Sequence, residues 1–203
     1  MKKICTSVLA ICLLSFTTAF GQQFNSNLGD ARQNYSAGNL VDSRAAMEQM
    51  LRDLDVEIGR EILKLLPSNM EALSANTKDD QVTSAGGGLI GGLYIQRTYG
   101  ADPNKSANLD IINNSPLLNS LQALLSVPFL AGAGNPDQKV VKVSGYKALL
   151  NKVEAAEAGK TGYELQIPLQ NTLVTFKVND TKEDNILKLA NTIPLEKIAQ
   201  MAR

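Results

Sequence analysis

Two short patterns have residue types that could do covalent chemistry. Ser144-Gly145-Tyr146-Lys147 reads as S-x-x-K, and Lys160-Thr161-Gly162 follows as K-T-G. In serine acyl-transfer enzymes carrying both, a lysine helps remove the serine proton so that the oxygen can attack a carbonyl. That chemistry places the serine at the start of a helix and K-T-G on a distant strand. Here Ser144 ends a strand-like run over residues 139–144, the two patterns nearly adjoin, and the intervening S-x-N element is missing. The spacing predicts two turns, one at Gly145 and one over residues 159–162. Gly86-Gly87-Gly88-Leu89-Ile90-Gly91 formally matches G-x-G-x-x-G. A phosphate cradle needs a helix after the glycines, so that free N–H groups meet the pyrophosphate. A strand-like run follows instead, which predicts a flexible entry or bulge.

The chain has no histidine, and its two cysteines, Cys5 and Cys12, lie at the extreme N-terminus. Catalysis by Ser-His-Asp is therefore excluded, and the usual ligands for zinc, copper or haem are missing beyond residue 12. The acids show neither an EF-hand spacing nor a paired arrangement. Asp102, Asp137 and the Asp180/Glu183/Asp184 group read as turn and cap residues. No catalytic residue, metal site or cofactor is expected. Arg97 and Tyr99, both from one strand end, are the binding candidates, because both residue types favour interfaces. The competing reading pairs Arg97 with an acid and sets Tyr99 at the edge of the core. Residues 117–133 form an apolar stretch that could touch lipid or line an apolar pocket. Asn119, Ser120, Gln122, Ser126 and Pro128 interrupt it, so a core helix across a sheet is the simpler expectation, not a membrane span.

The first 21 residues have the layout of an export signal: Lys2 and Lys3, an apolar run over residues 4–16, then Ala19 and Gly21 as the small residues a peptidase requires. Cleavage is expected after Gly21, with Ala19 as the alternative, giving the expectation of a periplasmic or secreted protein without disulfides. The formal net charge is zero, and loss of Lys2 and Lys3 leaves the remainder slightly acidic. No basic face for nucleic acid is implied. No second stretch is long and clean enough to be a transmembrane span.

The elements that must position these residues follow from hydrophobic period. Residues 27–67 read as helical, with Met47, Met50, Leu51, Leu54, Ile58, Ile62 and Leu65 on one face, a Glu48–Arg52 pair on the other, and a turn at Gly38-Asn39. Residues 68–92 read as a polar, glycine-rich linker. Strands are predicted at 93–99, 107–113, 139–144, 163–169 and 172–178. Ser115-Pro116 opens a helix of leucines, and Asp180-Thr181-Lys182-Glu183 matches a capping box for another. The expected fold is α+β: a mainly antiparallel sheet of about five strands with helices on one face, preceded by a long N-terminal amphipathic helix. The expected domains are a signal peptide at 1–21, a helical segment at 22–67, the linker at 68–92 and the α+β domain at 93–203.

From Leu66-Pro67 onward the chain resembles a group of exported proteins of Gram-negative bacteria. Arg97-Thr98-Tyr99, Asn114-Ser115-Pro116-Leu117-Leu118 and residues 143–150 carry the resemblance, together with the strand and helix of residues 175–198. It implies a periplasmic or surface location and a small α+β domain, and brings no activity with it. The arrangement is also distantly similar to single-sheet domains of the PsbP and Mog1 type, which bind partners. The functional expectation is a non-catalytic envelope protein that binds a protein partner or an apolar ligand. The alternatives are an envelope hydrolase with a Ser–Lys or carboxylate site, and a lipid-binding or envelope-stress chaperone.

Overall fold

A computed structural model describes residues 19–84, 92–126 and 136–202. Most of the expected leader, the glycine run at 86–91 and the end of the apolar stretch lie outside the described residues. The chain divides into two compact units, Met1–Asp53 and Leu54–Arg203.

In the first unit, α1 (Ala19–Ser36) and the beginning of α2 (Leu40–Leu65) form a hairpin. Gly38 makes the turn at φ +80°, a conformation open to glycine at no steric cost. The helices meet through small and polar groups. Ser43 Oγ donates to the Ala31 carbonyl at 2.9 Å, and Asn27 Nδ2 donates to Asp53 Oδ2 at 3.2 Å. The expected Glu48–Arg52 pair does not form: Glu48 holds Arg44 at 2.8 Å, and Arg52 donates to Gln49. Nor is the apolar stripe of α2 one buried face, because Met47, Leu51 and Leu54 are exposed while Ile62 is buried.

The second unit is α+β, as the sequence predicts, with more strands than expected. A small hairpin of β1 (Asn69–Met70) and β2 (Leu73–Ser74) precedes a seven-stranded sheet. Its strands are β3 (Gln81–Ser84), β4 (Leu93–Tyr99), β5 (Ala107–Asn113), β6 (Gln138–Val143), β7 (Tyr146–Glu154), β8 (Thr161–Leu169) and β9 (Thr172–Val178). They lie in the order β3-β4-β5-β9-β8-β7-β6, and every neighbouring pair is antiparallel. The segment read as a linker thus contributes three short strands, one of them an edge of the sheet. β7 is an additional strand without a strand signature, because Ala148-Leu149-Leu150 does not alternate. Its partners make it a strand: both faces are covered at that point, so the run is apolar throughout.

Strand alternation sorts the side chains. Ile95, Leu109, Ile111, Phe176, Val174, Leu165, Ile167 and Leu150 point to one face and form the main core. Ile62 and Leu63 at the end of α2, and Leu66 just after it, cover that face with α4 (Glu183–Ala190) and α5 (Leu195–Met201). The expectation of helices on one face is corrected by α3 (Leu118–Ser126). Its Leu118, Leu121 and Leu125 pack on Leu149 and Leu173, which alternation sends to the opposite face. The capping box also fails in its expected register. α4 begins at Glu183 behind Lys182, Asp180 lies at φ +40°, and Thr181 Oγ1 accepts from Asn185 Nδ2 at 2.9 Å.

Candidate functional site

The catalytic-looking patterns resolve into turns. Ser144 (φ +47°) and Gly145 (φ +88°) are the two central residues of the β6–β7 hairpin, the pair of left-handed conformations that suits a tight turn between twisted strands. Ser144 Oγ lies 3.2 Å from Asn191 Oδ1, to which its backbone N–H also donates at 2.8 Å. Lys147 leaves the strand on the α3 side and donates to the Leu125 carbonyl at 3.3 Å. Serine and lysine are thus engaged with different elements. Lys160 sits at the β7–β8 turn, 3.8 Å from Asp180, and Thr161-Gly162 starts β8. Among the described residues, no group of three or more acids, histidines or cysteines could hold a metal ion.

Arg97 and Tyr99 lie on the core side of β4. Arg97 is 6% exposed and makes a two-pronged contact with Asp80, Nε to Oδ1 at 2.8 Å and Nη2 to Oδ2 at 2.5 Å. Its remaining nitrogen, Nη1, donates to the Leu63 carbonyl near the end of α2 at 2.9 Å. The Asp80 hydrogen bond raises the guanidinium pKa, against the opposing effect of burial. Tyr99 is fully buried, and its hydroxyl has no hydrogen bond of acceptable geometry among the described residues. Arg97 therefore acts on it as a nearby charge. The Arg97–Asp80 ion pair, with the Leu63 carbonyl, ties the segment before β3, the sheet and α2 together, and neither Arg97 nor Tyr99 presents a surface to a partner. Removing one member alone would strand a buried charge, at a cost of about 3–5 kcal/mol.

Among the described residues, the surface that remains open is the sheet face that α3 only partly covers. Its rows are set by register. One row runs Gln96, Asp110, Thr175, Gln166 across β4, β5, β9 and β8 before reaching Leu149 under α3. The next runs Thr98, Asn108, Lys177, Glu164, Asn151. All of these except Leu149 are half-buried. Asp110 organises the centre. Its Oδ1 accepts from Tyr94 Oη at 2.8 Å and Gln96 Nε2 at 3.0 Å, and its Oδ2 accepts from Asn108 Nδ2 at 2.5 Å. Burial, then the hydrogen bond to Asp110, pushes the Tyr94 phenol up to about 12. Gln166 donates to Glu164 at 2.8 Å. Two side-chain carbonyls on this face, Asn108 Oδ1 and Asn151 Oδ1, have no hydrogen-bond partner among the described residues.

None of these residues stood out in the sequence. Alternation marks Gln96, Asp110 and Thr175 as facing away from the core, but only the strand order brings them together. The two rows offer hydrogen-bond donors, acceptors and one cation, Lys177, on a fixed backbone.

No protein-family model matches the chain, and neither a curated protein nor a solved structure does. Among the described residues, no helix is long and apolar enough to cross a membrane.

Proposed function

We propose that this is an exported, non-catalytic binding protein that receives a polar protein partner on the open face of its sheet. The observation that carries the reading is the two adjacent rows around Asp110 and Lys177, half-buried amides, hydroxyls and charges side by side on one sheet face. Side chains already held by hydrogen bonds to Asp110 and Glu164 lose little freedom on docking, and the remaining donors and acceptors of the face can pair with a polar partner. The surface is hydrogen-bonding in character, so a polar partner suits it better than the apolar ligand that composition also allowed. Export is supported by the tripartite pattern of residues 1–21.

The reading is tested in the producing cells. A photo-crosslinking amino acid at Gln96, Gln166 or Lys177 should trap one recurring protein in the envelope fraction. The same group at exposed Lys152, whose side chain leaves the other side of β7, should not. N-terminal sequencing of the isolated protein should begin at Gln22. Failure to trap anything at all three face positions would defeat the reading. So would turnover of esters, glycosides or peptidoglycan fragments by the purified protein that is lost in Ser144→Ala.

A further inference from the structure

We propose that the α1–α2 hairpin is a dimerisation surface and that its occupant is the same hairpin of a second copy. Phe24, Leu28 and Tyr35 of α1 are exposed, as are Leu40, Met47 and Leu51 of α2, from 36% for Phe24 to 66% for Tyr35. At 3.6 residues per turn, each triplet falls within an arc of about 40°. The residues that join the helices, Asn27 and Ala31 on α1 and Ser43 on α2, precede their triplets in the helical sense by about 60° on average. Because the two helices run antiparallel, equal offsets place both triplets on the same side of the seam. The hairpin therefore has one continuous apolar face.

Little else holds the hairpin together. Among its described residues only Asn27, Ala31 and Ser43 are buried, and helices that bury so little apolar area are marginal by themselves. The six exposed side chains leave on the order of 600 Å² uncovered, at the upper end for the largest apolar patch of a monomer. With a polar rim added, that approaches the roughly 800 Å² per partner of a stable dimer. A two-fold axis through the face turns it onto itself and gives an antiparallel four-helix bundle.

Charge decides between a second copy and a lipid surface. Helices that lie on membranes have a lysine- and arginine-rich polar face. Residues 23–53 contain no lysine, and Arg32, Arg44 and Arg52 are outnumbered by Asp30, Asp42, Glu48 and Asp53. Arg44 is already paired with Glu48. Such a rim lacks the basic face that draws a helix onto anionic lipid, and its mixed charges can pair across a two-fold axis with those of a second copy.

Sedimentation equilibrium of the full chain, as isolated from cells, tests this. The wild type should dimerise reversibly. Leu51→Ala should weaken the dimer about tenfold, and Met47→Glu with Leu51→Glu about a hundredfold or more, with helix content retained by circular dichroism. A wild type that stays monomeric across a hundredfold concentration range overturns the proposal. So does a dimer whose dissociation constant is unchanged by Leu51→Ala, which remains decisive if the double variant loses helicity. A monomer that co-sediments with phosphatidylglycerol vesicles assigns the face to lipid instead.

Discussion

Asp110 accepts three side-chain hydrogen bonds while remaining at the surface, and that has a measurable consequence at Tyr94. The phenol donates to a carboxylate and is partly desolvated, so ionising it would place two negative charges together away from water. Its pKa is pushed up to about 12. Tyr99 is raised to about 12 as well, by burial foremost, with the Arg97 charge offsetting part of the effect. In the unfolded chain both ionise near ~10. Between those values the folded state binds more protons than the unfolded one, so stability falls as pH rises through that window. Of the five tyrosines, Tyr94 and Tyr99 should ionise only near pH 12 or upon alkaline unfolding, as read by tyrosinate absorbance. Tyr94→Phe should remove one late step and flatten the alkaline loss of stability. If every phenol titrated near pH 10 in protein still folded by circular dichroism, the packing at both sites would be wrong.

Helix propensity and packing make opposite predictions at Gly59, which lies within α2. A glycine in a helix interior costs about 1 kcal/mol relative to alanine, so Gly59→Ala should stabilise on propensity alone. A methyl group at that position would run into Val82 and come within 2.9 Å of Leu93 Cδ1, side chains of β3 and β4. Overpacking of that kind costs about 1–3 kcal/mol. The clash is against two branched or bulky side chains held in a sheet, so it should win. Urea unfolding should put Gly59→Ala less stable than the wild type by up to about 2 kcal/mol, and a gain in stability would mean that α2 sits farther from the sheet.

The same contact illustrates what the sequence could and could not say about elements. β4, β5, β8 and β9 were readable because one face is core and the other is not, so apolar and polar residues alternate. β7 was not, because Leu149 supports α3 from one face while Ala148 and Leu150 enter the core from the other. The placement of α3 was hidden for the same reason: its leucines announce burial without saying on which side. β3 was too short and too polar to stand out from its surroundings. At the open face the residue types were visible, but the strand order that sets Asp110 between Gln96 and Thr175 joins β5 to β9 across a long stretch of chain. Local periodicity has no information about that pairing. Arg97 stands out by residue type, but its acid, Asp80, lies in the irregular segment before β3 with no periodicity to mark it.

For the molecule as a whole, stability should be distributed unevenly, and hydrogen exchange can read the distribution. β5, β9 and β8 each have hydrogen-bonded neighbours on both sides. They also contribute Leu109, Ile111, Val174, Phe176, Leu165 and Ile167 to the core. Opening any of them breaks two ladders and exposes that core, so their amides should exchange only through global unfolding. α1 contributes Ala31 and Asn27 as its buried residues among those described. Its amides need far less free energy to open and should exchange at least about tenfold faster than those of β9. Protein concentration then separates an intrinsically loose helix from one that lacks its partner. A dimer formed through the hairpin stabilises that unit by mass action, so protection of α1 should rise with concentration while that of β9 stays fixed at the global limit. Equal protection in α1 and β9 at every concentration would show that the hairpin is held by something other than a second copy.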